Sequence, residues 1–478
     1  MEKKSIAKNI VDNFIWRFLE RAGAQIVQFV VSIILARILN PSEYGTVALV
    51  VVIANVLQVF VDSGFGNALI QKKKVDNLDY SSVFIANVIL CISLYILTFI
   101  FAPFVSDFFN NPQLTSVMRV LCLTIVISGF KNVQQAYISR NMMFKKFFFA
   151  TIIGTVASAI LGVWCAYKGL GIWALVVQRL TNLTIDTVLL WIIVDWKPEL
   201  KFSFERIKEL FGFGYKLLLS SFIDTIYNNI RQIIIGKIYS EDDLAYYNQG
   251  NQYPAVLAIT INTSIDGVLF PVLSKAQDNK EVLKNMLRRS IQISTFFLAP
   301  VMLGLAGISD NLICILLTEK WIRASFFLKI FCVSYLLYPI NTANLGAINA
   351  QGRSDIFLKL EIIKKTIGFG IIMVSLRYGV VAIALGELVT SLLCQIINAL
   401  PNRKLLKYSY WEQMRDILPN IINAVIMFLI ISMLSECTNM KILNLFIQII
   451  VGIIVYFILC VLEKNESFHY LVKKLALQ

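Results

Sequence analysis

Apolar runs of about 20 residues recur along this chain from residue 13 to residue 462, separated by short polar stretches. As a helix rising 1.5 Å per residue, each run is long enough to cross roughly 30 Å of hydrocarbon. Backbone groups in hydrocarbon must satisfy one another, so such a chain is expected to fold as an all-α polytopic membrane protein. With 57% of its 478 residues apolar and only 15% charged, no segment is left over for a soluble domain. Hydropathy windows place about fourteen spans, near 13–36, 44–66, 80–102, 114–135, 147–167, 171–194, 212–237, 245–270, 286–307, 323–346, 357–377, 379–400, 415–434 and 442–462.

An even number of spans puts both termini on one side, and the loop charges say which. Loops on the side of the termini carry 27 Lys and Arg against seven on the other, namely Arg37, Lys168, Lys237, Lys320, Arg323, Arg377 and Lys441. By the positive-inside rule both termini are expected in the cytoplasm. The net charge of +14 is then a mark of topology, not of nucleic-acid binding. The basic N-terminus runs into Asp12, Arg17, Glu20 and Arg21 without a cleavage site, so it reads as a first span, not a signal peptide.

Enzymatic chemistry has little to build on. The eight cysteines form no C-x-x-C pair and fall in or beside apolar runs, and His469 is the sole histidine, so no metal site, disulfide framework or catalytic residue is expected. Loops shorter than about 20 residues leave no room for a nucleotide-binding or catalytic domain.

The chain repeats itself. Ile34-Leu35-Ala36-Arg37-Ile38 leading to Glu43-Tyr44-Gly45 aligns with Ile234-Ile235-Gly236-Lys237-Ile238 leading to Asp243-Leu244-Ala245, and Gly169 to Leu175 aligns with Gly379 to Leu385. Six spans per copy make the copies parallel, which implies two lobes related by a pseudo-two-fold axis along the membrane normal, with the substrate path between them. The organisation expected is an N-lobe over 1–195, a cytoplasmic linker over 196–211, a C-lobe over 212–402, and the last two spans with a cytoplasmic tail over 403–478. The linker carries Trp196, Phe202, Phe204 and Phe211 among charges and is expected to lie as an amphipathic interfacial helix.

Charges within spans are costly, about 2.5–3.5 kcal/mol at the centre, and usually face a wet cavity or a partner. Span one aligns Arg17, Arg21, Gln25, Gln28 and Ser32 on one helical face, and span seven does the same with Lys216, Ser220, Asp224, Asn228 and Arg231. Two readings stand for Arg17 and Lys216: cavity lining, or snorkelling to headgroups from near the cytoplasmic boundary. Arg21 and Arg231 lie deeper, and a cavity role suits them better. Arg179 with Asp186, Lys131, and Glu361 with Lys364 and Lys365 read equally as cavity lining or as links between helices. Lys329 and Glu387 are single charges that can pair across helices. Asp62 and Asp266 recur in both copies, which favours a structural or gating role, and Pro254 gives its helix a place to bend. Basic groups suit a pyrophosphate, and amides and aromatic faces suit sugars; Tyr246, Tyr247, Asn248, Gln249, Asn251 and Tyr253 add to the latter. Glu20 and Asp224, acids beside the basic stripe, are candidates for Na⁺ or H⁺ coupling.

The run from Ser32 through Ala36-Arg37-Ile38-Leu39-Asn40-Pro41-Ser42-Glu43-Tyr44-Gly45, then Val61-Asp62-Ser63-Gly64-Phe65-Gly66 to Lys72, resembles the polysaccharide-transport branch of the multidrug/oligosaccharidyl-lipid/polysaccharide exporter superfamily. Within it the chain looks most similar to Wzx-type exporters of O-antigen, colanic acid and teichuronic acid repeat units, and Ala350 to Asp355 fits a loop of such proteins. The resemblance implies two six-helix lobes of MATE type plus two C-terminal helices, alternating access and a cationic central cavity in the bacterial cytoplasmic membrane. Its implied substrate is an undecaprenyl-pyrophosphate-linked oligosaccharide, moved without ATP hydrolysis or a cofactor. Partners it implies are membrane lipids and a polymerase and chain-length regulator of the same pathway. A cation-coupled multidrug antiporter of the same fold is the alternative, although its organic cations would favour an acidic cavity. A membrane glycan polymerase or ligase would need a large outer loop that the chain lacks.

Overall fold

The computed structural model describes the backbone of residues 2–62, 66, 69–70, 72, 75–275, 279–435, 437 and 440–475. It describes their side chains except at 2–15, 211, 213–214, 216, 264–272, 274–275, 471 and 474–475. Among the described residues all regular structure is helical, and internal packing divides the chain into two compact units, Met1–Ala245 and Tyr246–Gln478. The first holds α1 (Glu2–Ile38), α2 (Pro41–Val61), α3 (Asn77–Phe109), α4 (Gln113–Leu121), α5 (Leu123–Arg140), α6 (Phe144–Tyr167), α7 (Ile172–Ile193), α8 (Phe204–Ile238) and the first turn of α9 (Glu241–Lys275). The second holds the rest of α9, then α10 (Lys280–Leu317), α11 (Ile322–Leu336), α12 (Tyr338–Ala350), α13 (Ser354–Ser375), α14 (Val380–Leu405), α15 (Tyr410–Met433), α16 (Lys441–Leu462) and α17 (Glu466–Leu475).

Eleven stretches among the described residues are long and apolar enough to cross a membrane, against about fourteen expected. The other three windows, 212–237, 245–270 and 357–377, are helical but lie outside those eleven. The first carries Lys216, Asp224 and Arg231 and the third Lys359, Glu361, Lys364 and Lys365, which dilute the apolar signal. Pro339 sits in the first turn of α12, where its missing N–H separates that helix from α11. Pro254 and Pro300 lie inside unbroken helices.

The repeated corner has a chemical basis. α1 and α2 are two residues apart, as are α8 and α9. At the first corner the Asn40 N–H donates to Glu43 Oε2 at 2.7 Å, and at the second the Asp243 N–H donates to Ser240 Oγ at 3.1 Å. Each cap satisfies an orphan helix-end donor. A β-carbon at Gly45 would lie 2.0 Å from the Glu241 carbonyl oxygen, so the starts of α2 and α9 meet backbone to backbone. Gly45→Ala is therefore expected to cost about 1–3 kcal/mol by overpacking, read as a lowered melting temperature of purified protein. Gly370→Ala is the control, because nothing lies within 4 Å of its would-be β-carbon.

Unit one is built on close helix pairs. α1 packs on α6, α6 on α7, and α8 on α2 and α3. Gly154, Ser158 and Gly162 form a small-residue stripe on α6, and Asn182 Nδ2 of α7 donates to Thr155 Oγ1 and Ser158 Oγ, both at 3.2 Å. The linker departs from expectation. Val194 to Ser203 is not helical, and Trp196 is buried in unit one, its ring 5.5 Å from Tyr80 and its Nε1–H donating to Asn77 Oδ1 at 2.6 Å. The Glu199 and Ser203 N–H groups donate to the Ser81 and Ser82 hydroxyls at 3.0 Å, taking the place of helical hydrogen bonds. Phe204 already belongs to α8.

In unit two, buried amides tie helices together. Asn344 and Gln413 exchange hydrogen bonds at 2.7 and 3.1 Å, and Asn402 donates to Asn344 Oδ1 at 2.7 Å, joining α12, α14 and α15. α16 is fixed by Asn311 Nδ2 to Gln448 Oε1 at 3.0 Å and by the Tyr456 hydroxyl to the Phe296 carbonyl at 2.9 Å. The expected tail contains α17, whose Phe468 packs against Phe457 with ring centres 6.0 Å apart.

Candidate functional site

The end of α2 and the middle of α8 line an open, groove-like cavity of about 370 Å³ within unit one. From α2 it is lined by Asn55, Gln58, Val59 and Asp62, and from α8 by Ser221, Thr225, Asn228 and Asn229. Asn55, Gln58 and Asp62 are spaced by three and four residues, as are Ser221, Thr225 and Asn228, so each helix turns one polar face to the cavity. The Asp62 carboxylate is held in place: Gln58 Nε2 donates to Oδ1 at 3.0 Å and Asn132 Nδ2 of α5 donates to the same oxygen at 3.2 Å. Asn132 Nδ2 also reaches the Val61 carbonyl at 3.1 Å, tying the end of α2 to α5. On the opposite wall Asn229 Nδ2 donates to the Thr225 carbonyl at 2.8 Å. The cavity thus offers amides, hydroxyls and one carboxylate, a set that exchanges hydrogen bonds with hydroxyl-rich molecules.

The sequence-derived candidates fall into several places. Asp62 and Asn228 share this cavity. Arg231, one turn beyond Asn228, is 7% exposed, with its guanidinium 6.0 Å from the Tyr227 ring centre. Asp224 is half-buried on α8, and the side chains of Lys216 and Asp266 lie outside the described residues. On α1, Arg21, Gln25 and Gln28 are exposed, whereas Arg17 pairs with Glu20 at 2.9 Å and lies over the rings of Phe144 and Phe147 of α6 at 5.5 and 5.1 Å. Of the α1 stripe Arg17 reaches α6, and of the α8 stripe Asn228 lines the cavity beside α2. Arg179 is exposed on α7, while Asp186 is buried and pairs with Lys131 of α5 at 2.6 Å. Pro254 is buried in α9.

Several further polar residues pair with one another, across helices for Lys329 and Tyr247 and within α13 for Lys364. Lys329 pairs with Asp310 at 2.6 Å, Lys364 with Glu361 at 2.5 Å, and the Tyr247 hydroxyl donates to Glu387 Oε2 at 2.6 Å. Tyr246 and Tyr247 pack edge-on against Trp321 and Phe331, so this aromatic run forms core within unit two. Sequence reasoning missed Asn55 and Gln58. Their signal was present as two amides at helical spacing ahead of Asp62 in an otherwise apolar span.

A family model described as polysaccharide biosynthesis protein matches residues 34–326, more than half of the chain. The succinoglycan biosynthesis transport protein ExoT of Rhizobium meliloti is 25% identical over 96% of this chain and 94% of its own length. The lipopolysaccharide biosynthesis protein WzxC of Escherichia coli is 26% identical over 79% of this chain and 76% of its own. The teichuronic acid biosynthesis protein TuaB of Bacillus subtilis is 23% identical over 74% and 73%. Among solved structures, the lipid II flippase MurJ in an inward closed conformation superposes with a TM-score of 0.76 at 16% identity, covering 94% of this chain and 99% of that one. An inward-facing multidrug MATE transporter superposes with a TM-score of 0.62 at 15% identity, covering 82% and 94%. The fold is therefore the MurJ and MATE fold.

Proposed function

The chain belongs to the polysaccharide biosynthesis protein family, and from that premise we propose that it is a flippase carrying a lipid-linked oligosaccharide from the cytoplasmic to the outer leaflet of the bacterial cytoplasmic membrane. The observation that carries this reading is the cavity between α2 and α8, a hydrogen-bonding site built from membrane helices. Sugars need amides and hydroxyls, which Asn55, Gln58, Thr225 and Asn228 supply. A pyrophosphate needs cations, and Arg21 on α1 and Arg231 on α8 are the basic groups assigned to it, Arg by virtue of its bidentate geometry. Two lobes of six helices alternate in opening to either face, and the lipid tail stays in the bilayer. A polymerase and a chain-length regulator are the partners that would receive the product.

Inward flow of Na⁺ or H⁺, acting through Asp224 or Glu20, resets the carrier in this scheme. The test is transfer of a fluorescent undecaprenyl-pyrophosphate-linked oligosaccharide across proteoliposomes, with and without ion gradients. Transfer above the protein-free rate is expected, slowed about tenfold, or ~1.4 kcal/mol in the barrier, by Asp224→Asn or by collapsing both gradients. Rates indifferent to both changes would end the coupling proposal. No transfer under any gradient would end the flippase reading.

A further inference from the structure

Unit one holds a second and larger cavity, of about 840 Å³, at the corners where α1 meets α2 and α8 meets α9. We propose that it is a binding site for an uncharged, hydroxyl-rich saccharide. Its lining includes Trp173 of α7, Glu43 and Asn40 at the first corner, Glu241 at the second, Asn111 from the turn between α3 and α4, and Gln113 at the start of α4. It is distinct from the α2–α8 cavity: Glu43 and Asn55 are about 18 Å apart along α2 at 1.5 Å per residue. Its volume lies in the range of ligand pockets, roughly 300–1,000 Å³.

The polar groups are fixed in advance. Asn111 Nδ2 donates to Thr46 Oγ1 and to Glu241 Oε1, both at 3.1 Å, and its Oδ1 accepts the Gln113 N–H at 2.9 Å. One amide thus joins three chain segments and sets the direction of the Glu241 carboxylate. Glu43 is set from the other side, its Oε2 accepting the Asn40 N–H at 2.7 Å. Two glycines leave the space open. At Gly171, φ is +53° and a β-carbon would lie 2.4 Å from Glu43 Oε1; at Gly169, φ is +75° and a β-carbon would meet nothing within 4 Å. Both conformations are costly for other residues.

The chemistry selects the ligand class. Carboxylates accept hydrogen bonds from adjacent hydroxyls more strongly than neutral acceptors do, and an indole offers a flat apolar face for the C–H side of a sugar ring. Two acids and no Lys or Arg line the cavity, so an anionic sugar meets repulsion. A metal is a poorer fit, because no group of three or more His, Cys, Asp or Glu that could hold one occurs among the described residues.

The test uses the full chain in nanodiscs and saturation-transfer NMR with cellotriose, maltotriose and trigalacturonate as probes, and CaCl₂ alone by calorimetry. At least one neutral trisaccharide is expected to bind, with trigalacturonate weaker by about tenfold or more, ~1.4 kcal/mol. Trp173→Ala and Glu241→Gln are each expected to weaken the neutral sugar by a similar factor, and Trp173→Phe to retain most of its binding. If Glu241→Gln fails to fold, the contrast between the two Trp173 variants reads the same site. Failure of both neutral sugars to bind, binding that ignores the Trp173 variants, a preference for trigalacturonate, or Ca²⁺ binding in place of sugar would each overturn the proposal. Binding is measured without a lipid carrier or gradient, so a failed flipping assay and a failed sugar site are distinguishable.

Discussion

Asp186→Leu is expected to destabilise the folded chain by about 3–5 kcal/mol, the usual cost of removing one member of a buried ion pair. Asp186 Oδ2 lies 2.6 Å from Lys131 Nζ, and their side chains are only 5% and 16% exposed. With the carboxylate gone, the ammonium keeps its desolvation cost and loses its direct partner, leaving Glu20 and Asp62 as the acids within electrostatic range. Its surroundings offer partial relief: the Phe147 ring lies 5.9 Å away, but that ring already carries the Arg17 guanidinium at 5.1 Å. Lys131→Met together with Asp186→Leu removes both charges and is expected to recover most of the loss, since apolar replacements of buried pairs are often neutral. Melting curves of the purified single and double variants decide the matter. A single variant as stable as the wild type would show that the pair contributes nothing. A double variant as weak as the single one would locate the effect in packing of the α5–α7 contact, not in charge.

This pair also shows where sequence reading stops. Helical class, most spans and the repeated corner followed from apolar run length and from motif spacing, because those properties are local. Partner choice is not local. Asp186 is seven residues from Arg179, a spacing that puts both on one face of α7, yet its partner is Lys131 on α5. Which neighbour a helix face meets is set by helix packing, and that depends on residues such as Gly154 and Ser158 far away in sequence. Trp196 follows the same logic: its amphipathic surroundings suit an interface, but three aromatic neighbours, Tyr80, Phe84 and Tyr137, provide a buried site for it. Of the candidate site, Asp62 and Asn228 were legible as polar residues in spans. Their meeting in one cavity with Asn55 and Gln58 depends on the packing of α2 against α8, which no spacing rule supplies.

Arg231→Ala is expected to reduce glycan export at least tenfold to a hundredfold with protein level unchanged, matching ~1.5–3 kcal/mol for a hydrogen bond to a charged group. Arg231 is one turn along α8 from Asn228, and Asn228 lines the polar cavity, so a pyrophosphate placed near the guanidinium leaves its sugars within reach of the amides. Burial makes the charge count for more than it would in water, because the solvent that would screen it is excluded. Arg231→Lys keeps the charge and loses the planar fork, so an intermediate loss is expected. Arg21, exposed on α1, is assigned the same anion, and Arg21→Ala is expected to act in the same direction. In the proposed reading Gln58→Ala and Asn228→Ala remove groups assigned to the sugars and leave the charge, so their loss should depend on the glycan while that of Arg231→Ala should not. The measurement is surface glycan in a deletion strain complemented by each variant, with membrane protein quantified in parallel. Normal export in both Arg21→Ala and Arg231→Ala would refute a cationic role for either residue, and the α2–α8 cavity would then have to bind its substrate through amides and hydroxyls alone.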